Sequence, residues 1–393
     1  MTLQDEIRHY LNLCHGYAWS KAHPAKPDEP ALVSAFLAEE MYEGLRDILR
    51  RHVLPSTKLL VRGIFTHQTP KVLPKGKLQS VEIGDLMIVH QHIPTASSKA
   101  ISGRAMLFQA KRARTTRTGS LAKGTEAIQF GLYQSWPEFT GETRLAPRPD
   151  LATPYWNFQN ISVNTQPATD GAEFLTVFKG QAYHTPLCFP QWKAILRNGP
   201  DARFVKKNYP NASTWAAGNC PPLPGTAKNG VECKNDFSGT FCDFLSGKKG
   251  RAFQPGLVST SPDHWSLFVN QMLAFAASPG YVYKLANQGI ASSLRGRDLN
   301  FLAATPLLYH ASAEELTEFV ATAAARTAMT GFEVTNSLLR SIDPGTSSQE
   351  NDGRDFPPED GAREASNNLP IGHVPLLLVI THGPDELPFS FQS

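Results

Sequence analysis

Val81–His90 reads VEIGDLMIVH and Ala105–Ala110 reads AMLFQA, continued by Lys111. Both are short runs of apolar and β-branched residues bounded by turn or charged residues, which is the composition of a strand buried in a sheet. Leu59–Thr66 (LLVRGIFT) is a third run of the same kind. Upstream, Ala31–Arg51 repeats Phe36, Leu37, Met41, Leu45, Ile48 and Leu49 at three- and four-residue steps, with Pro55 beyond its end, and is predicted as a helix. Downstream, Thr125–Phe139 is predicted helical as far as Pro137. Helix, three strands and helix in succession make an α/β core with a mixed sheet flanked by helices.

Around this core the chain is long, 393 residues, which predicts two to three domains or one core with large additions. Apolar residues make up 41% and charged residues 19%, enough to bury a sizeable core and to exclude global disorder. The longest apolar runs, such as Val374–Ile380, fall far short of the roughly 20 residues of a membrane helix. No basic-then-apolar leader opens the chain. A cytoplasmic protein with no membrane partner is expected. Five scattered cysteines argue against a disulfide scaffold. A net charge of +3 does not announce a nucleic-acid binder, but Gln109–Lys123 holds Lys111, Arg112, Arg114, Arg117 and Lys123 without an acid. Such a run is either a solvated loop or a phosphate-contacting surface.

The predicted organisation is an N-terminal helical segment over 1–30 (a helix near Leu3–Tyr17, then the Pro-rich linker His23–Pro30), a core over 31–150, and a large irregular α+β region over 151–393. In that last region Asn208–Gly239 reads as loop, Ser261–Ala277 and Ala313–Arg340 as helices, and Ser341–Asn368 as a flexible polar loop. Val374–Thr381 reads as a buried strand that joins either the first sheet or a second one. No fixed-period repeat is present.

The chemistry concentrates at Gly84-Asp85, at the start of one strand, and at Gln109-Ala110-Lys111, at the end of another. Side chains alternate along a strand, so Gln109 and Lys111 share a face, and a neighbouring strand can bring Asp85 beside them. The Asp85 carboxylate and the Gln109 amide oxygen are hard donors suited to a Mg²⁺ (or Mn²⁺) that keeps several waters. Lys111 can serve an attacking water or stabilise developing phosphoryl charge, as metal-assisted phosphodiester hydrolysis requires. Gln129 and Tyr133 lie four apart on the following helix and face the same way. Glu40, with Glu39 and Glu43 as alternatives, carries a carboxylate on the face of the 31–51 helix that turns inward, where it needs a cation or a donor.

In this order and spacing, residues 31–139 resemble the PD-(D/E)XK nuclease superfamily. Glu40 corresponds to the acid on the early helix, Asp85 to the strand aspartate, and Gln109 with Lys111 to the (Glu/Gln)-x-Lys element. Gln129 and Tyr133 correspond to the Q-x-x-x-Y element of the RecB-like branch, and Gln-x-Lys is similar to the Mrr-type form. The resemblance implies a restriction-endonuclease-like core, metal sites at Asp85, Gln109 and Glu40, and substrate contacts from Gln129, Tyr133, Arg112, Arg114 and Arg117. It implies hydrolysis of nucleic acid, double-stranded DNA above all, in defence against foreign DNA. A homo-oligomer or a defence-system partner protein would fit that setting. Gln109 departs from the acidic form and brings no charge, which lowers metal affinity. The alternative function is therefore an inactive nuclease fold that binds nucleic acid or a partner.

Other signals are weaker. Cys220, Cys233 and Cys242, with Cys188 and His184 upstream, lack the close ligand pairs of a zinc site, and Cys14 plus the late cysteines lacks the spacing of an iron–sulfur staple. Buried thiols are the default. His90 and His92 read as polar residues at a strand end rather than ligands. No phosphate-loop, nucleophile-elbow, HExxH or dinucleotide signature occurs.

Overall fold

The computed structural model describes residues 2–22, 26–37, 39–64, 70–95, 102–114, 118–120, 125–142, 145, 148–149, 153–159, 166–181, 213–218, 230–255, 262–276, 374–384 and 389. Its centre is an eight-stranded mixed sheet. The strands are β1 (Lys58–Ile64), β4 (Leu86–Pro94), β5 (Ser102–Ala113), β8 (Ala172–Phe178), β9 (Trp215–Gly218), β11 (Asn235–Asp236), β12 (Arg251–Phe253) and β13 (Leu376–Gly383). They lie in the order β1-β13-β4-β5-β8-β9-β11, with β12 paired to β5. The β13/β4 and β5/β8 pairs are parallel and the others antiparallel. The twelve-residue β5 serves two partners on one edge: Gly103–Ala105 pairs with β12 and Leu107–Ala113 with β8. The sheet thus continues across residue 150, and the boundary expected there does not separate two sheets.

Both faces are covered, which is why β4 is buried along its whole length and reads as a continuous apolar run. On one face lie α1 (Leu3–Ala22), α2 (Glu29–Leu37), α3 (Glu39–Arg50) and α5 (Phe237–Leu245). Their Tyr10, Phe36, Leu45 and Phe241 pack with Leu86, Ile88, Phe108, Leu175 and Leu377 of the sheet. On the other lie α4 (Thr125–Ser135), α6 (His264–Ala276) and a small sheet of β2 (Lys71–Pro74), β3 (Val81–Glu82) and β7 (Phe139–Gly141). There Phe130, Tyr133, Trp156, Phe158 and Phe268 pack on Met87, Val89, Leu107, Phe174 and Leu378. A further two-stranded ribbon joins β6 (Thr118–Ser120) to β10 (Gly230–Glu232). The α/β class with a mixed sheet between helices is as expected. Among the described residues no helix is long and apolar enough to cross a membrane.

Local signals account for the helix starts. Thr2 Oγ1 accepts from the Asp5 amide at 3.2 Å and donates to the Asp5 carboxylate at 2.7 Å, capping the start of α1. Asp28 caps α2 through the Ala31 amide at 3.0 Å, and Pro30 stands in the first turn, where its missing N–H costs nothing. Asp236 caps α5 and also holds Arg8 of α1 at 2.6 Å.

Several expectations need correction. Val81–His90 is two strands joined by Ile83-Gly84-Asp85, because β3 belongs to the small sheet and β4 to the large one. The span Asn208–Gly239 is not all loop: it holds β9, β10, β11 and the start of α5. These strands are two to four residues long, too short for alternation to register. α1 runs on to Ala22, and the expected 31–51 helix is matched by α2 and α3, with residue 38 outside the described residues. The expected elements at 313–340 and 341–368 lie outside the described residues.

Val374–Thr381 does form a strand, and it joins the first sheet, between β1 and β4. Leu377 is fully buried there, partnered by Gly63 and Ile88. Leu377→Ala is expected to cost about 2–5 kcal/mol. Urea unfolding checks this; a midpoint unchanged from wild type would show that β13 is not integral to the core.

Candidate functional site

Asp85 is placed by the link between β3 and β4. Its amide donates to Phe108 O at 2.8 Å, the first rung beyond β4. Its carboxylate then takes the place of a missing strand partner on β5: Oδ2 accepts from the Ala110 amide at 2.7 Å and, in a very short contact, from Gln109 Nε2. The link passes over α4. Tyr133 donates its hydroxyl to Ile83 O at 2.9 Å, and a Cβ on Gly84 would lie 2.9 Å from that hydroxyl. Glycine is what allows the tyrosine to approach this closely.

Gln109 and Lys111 share a face of β5, as alternation predicts, opposite Phe174 and Thr176 of β8. Gln109 is 1% exposed, and with its nitrogen given to Asp85 its Oε1 is buried with no partner. The Lys111 ammonium lies 3.8 Å from Glu29 Oε2. Glu29 also accepts the Arg112 amide at 2.9 Å, and the Arg112 guanidinium donates to Pro27 O at 2.8 Å, so residues 27–29 are tied to the end of β5.

The electrostatics disfavour the charged form of Asp85. Burial holds the Asp85 carboxyl well above its usual range; Glu82 pushes it further, Lys111 opposes, and Glu29 pushes it up again. Burial and the two glutamates thus outweigh the one ammonium and hold the carboxyl toward its protonated form. Among the described residues, no three His, Cys, Asp or Glu side chains are grouped closely enough to hold a metal. Mg²⁺ asks for less, since it keeps several waters and takes one or two carboxylates. Asp85 is such a carboxylate, but it is Gln109 Nε2, a donor, that meets it, so an ion held by both residues would need the carboxamide turned to bring Oε1 round. A divalent ion there would supply Lewis acidity toward a phosphoryl oxygen.

The structure therefore brings together Asp85, Gln109 and Lys111, with Tyr133 beneath the Asp85 link and Gln129 buried on the same helix. Glu40 lies on α3, but its side chain, like those of Glu39 and Glu43, is outside the described residues. Arg114 is exposed, and Arg117 is outside the described residues. Two residues that face this site escaped the sequence reading, Glu29 and Glu82. Glu29 falls within the expected Pro-rich linker His23–Pro30, although Asp28-Glu29-Pro30 is a helix-start signature that places the α2 boundary there. Glu82 precedes Gly84 within a run read as one strand.

The discounted groups resolve differently. Cys14, Cys233 and Cys242 are buried free thiols, and burial pushes Cys233 and Cys242 up to about 12. Cys233 and Cys242 pack on opposite faces of the sheet, so they cannot share a metal. Cys188, Cys220 and His184 lie outside the described residues. His90 and His92 are not at a polar strand end; they are buried inside β4. His92 Nε2 faces Pro384 O at 2.9 Å and must donate to it, which leaves Nδ1 to accept from Thr381 Oγ1 at 3.0 Å. His90 Nε2 in turn donates to Thr381 Oγ1 at 3.0 Å. The pair ties β13 to β4. No family model, no curated protein and no solved structure matches the chain.

Proposed function

We propose that this chain is a metal-dependent nuclease that hydrolyses phosphodiester bonds of DNA, built on a restriction-endonuclease-like core. The observation that carries the reading is the direct contact of the Asp85 carboxylate with the Gln109 carboxamide, one strand-face step from Lys111. The buried, unpartnered Gln109 Oε1 supports it, because that atom lacks the donor or cation it needs. In this reading Asp85 holds Mg²⁺ or Mn²⁺, and Gln109 joins it once its carboxamide turns to present Oε1 in place of Nε2. Lys111 serves the attacking water, and Glu29 sets the position of Lys111. Tyr133 and Gln129 brace the site from α4, and the basic residues after Lys111, Arg114 first, meet phosphates in a salt-sensitive manner. The resemblance extends the proposal to defence against foreign DNA. Incubating the protein with plasmid and Mg²⁺ or Mn²⁺, with chelator as control, tests it: cleavage that needs the metal is expected, and intact plasmid under all metals would overturn it.

A second reading, an inactive nuclease fold that binds nucleic acid, draws on the same contact. The Gln109 amide satisfies Asp85 without any metal, as a closed structural hydrogen bond would. Gel shift without cleavage would favour it. The two readings part on Gln109→Glu. Two carboxylates pressed together at a 1%-exposed position should cost about 3 kcal/mol in chelator. In a metal site, millimolar Mn²⁺ restores the thermal midpoint; in a purely structural contact, it does not.

A further inference from the structure

On the α4/α6 face of the sheet, away from the Asp85 link, stands an arginine that the proposed chemistry does not use and whose hydrogen bonds the fold uses only in part. Arg251 opens β12 beside Ala105 of β5, and its side chain is fully buried. Nη1 donates to Phe158 O at 2.6 Å. Nε and Nη2 are buried with no partner. These two nitrogens form one side of the guanidinium fork, the edge that receives a carboxylate or phosphate through two parallel N–H bonds. The cation lies 5.6 Å from the ring of Trp265, which covers one face of it. Asp263 and Asp170 act on it through space, and neither makes an ion pair with it among the described residues.

The surroundings carry the same sign of hydrogen bonding. Phe158 packs 5.0 Å from Trp136 and 5.2 Å from Trp265, and the indole Nε1 of each tryptophan is also buried without a partner. Four nitrogens around one phenylalanine are thus donors without acceptors. A buried charge left in this state is strongly destabilising, and its fork is complete except for what it would grip.

We propose that the Nε/Nη2 edge of Arg251 is the seat of a small oxyanion, phosphate or carboxylate, held bidentately within this aromatic cluster. Bound there, the ion joins β12 to the Phe158 segment and to α6, and so braces the half of β5 that precedes Gln109. The proposal does not depend on the nuclease reading.

The test is calorimetric and thermal titration of the full chain, first dialysed into chloride, with inorganic phosphate and with acetate at matched ionic strength. Saturable one-to-one binding of at least one of the two is expected, with a midpoint raised by roughly 3 °C at a hundredfold excess over Kd. Arg251→Met should abolish the response, and Arg251→Lys, which keeps the charge without the fork, should weaken binding by at least tenfold. Phosphate binding without acetate binding identifies a phosphate-class ligand, and the reverse identifies a carboxylate; either supports the proposal. A wild-type protein that responds to neither anion overturns it, whatever the variants do. So does a response that survives Arg251→Met. Should Arg251→Met fail to fold, the wild-type and Arg251→Lys titrations decide alone.

Discussion

Asp85→Asn is expected to lower metal-dependent plasmid cleavage by on the order of 10³-fold, with the circular-dichroism spectrum unchanged. Asparagine preserves the size of the side chain, and its amide oxygen can still accept from the Ala110 amide, so the strand link keeps its brace. What is lost is the charge that draws a cation into a site where Glu82 and Glu29 already crowd it. Lys111→Met should cost on the order of 10²- to 10³-fold through the water-activating role. Because the two residues act on one reaction centre, the double variant should be scarcely worse than Asp85→Asn alone. Additive losses, or cleavage within tenfold of wild type in either single variant, would remove Asp85 and Lys111 from the machinery. Glu29→Gln should cost less than either, on the order of tenfold, because it removes a positioning partner of Lys111 without touching the metal donors.

Acidification from pH 7 to pH 5 is expected to destabilise the fold by about 2 kcal/mol for each of His15 and His90, about 4 kcal/mol together. Burial lowers His15 to about 4 and His90 to about 3, the latter aided by Arg104 and by competition with neighbouring His92 for a proton. Both rings are therefore neutral in the folded protein and titrate near 6.5 when unfolded. The stability they contribute is present above 6.5 and drains as pH falls, down to about 4 for His15 and about 3 for His90. His15 shows why the charged form is refused: Nε2 donates to Phe178 O at 2.7 Å, and Nδ1 is buried with no partner to receive a new N–H. The carboxyls of Asp85 and Glu173, held up by burial, act with the opposite sign. The informative measurement is therefore the difference between wild type and each His→Gln variant in urea unfolding at the two pH values. Each substitution should flatten the pH slope by its own 2 kcal/mol; unchanged slopes would mean that the histidines are solvated.

The reach of the sequence follows from how local each feature is. Asp85, Gln109 and Lys111 were legible because strand alternation and adjacency of β4 and β5 are short-range rules, and the two strands lie only a short loop apart. The place of β13 was not legible. Its apolar run identified a buried strand, but its neighbours β1 and β4 belong to the other end of the chain, and nothing in Val374–Ile380 names them. Trp215–Gly218 was missed because four residues carry too little pattern, although Trp215 donates to Leu11 O at 3.0 Å and anchors α1 to the sheet. Glu29 was missed by a boundary error of two residues. A helix start moved from 31 to 29 replaces a carboxylate of unknown orientation on α3 with one 3.8 Å from the Lys111 ammonium.

The insertion of β13 has a consequence for biosynthesis. His90 and its partner Thr381 are 291 residues apart. A nascent chain on the ribosome therefore carries β1 and β4 with a strand-wide vacancy between them, and both bare edges can recruit strangers until the closing segment is translated. Such a topology folds late and slowly, and its producer cell should lean on chaperones to shield that gap.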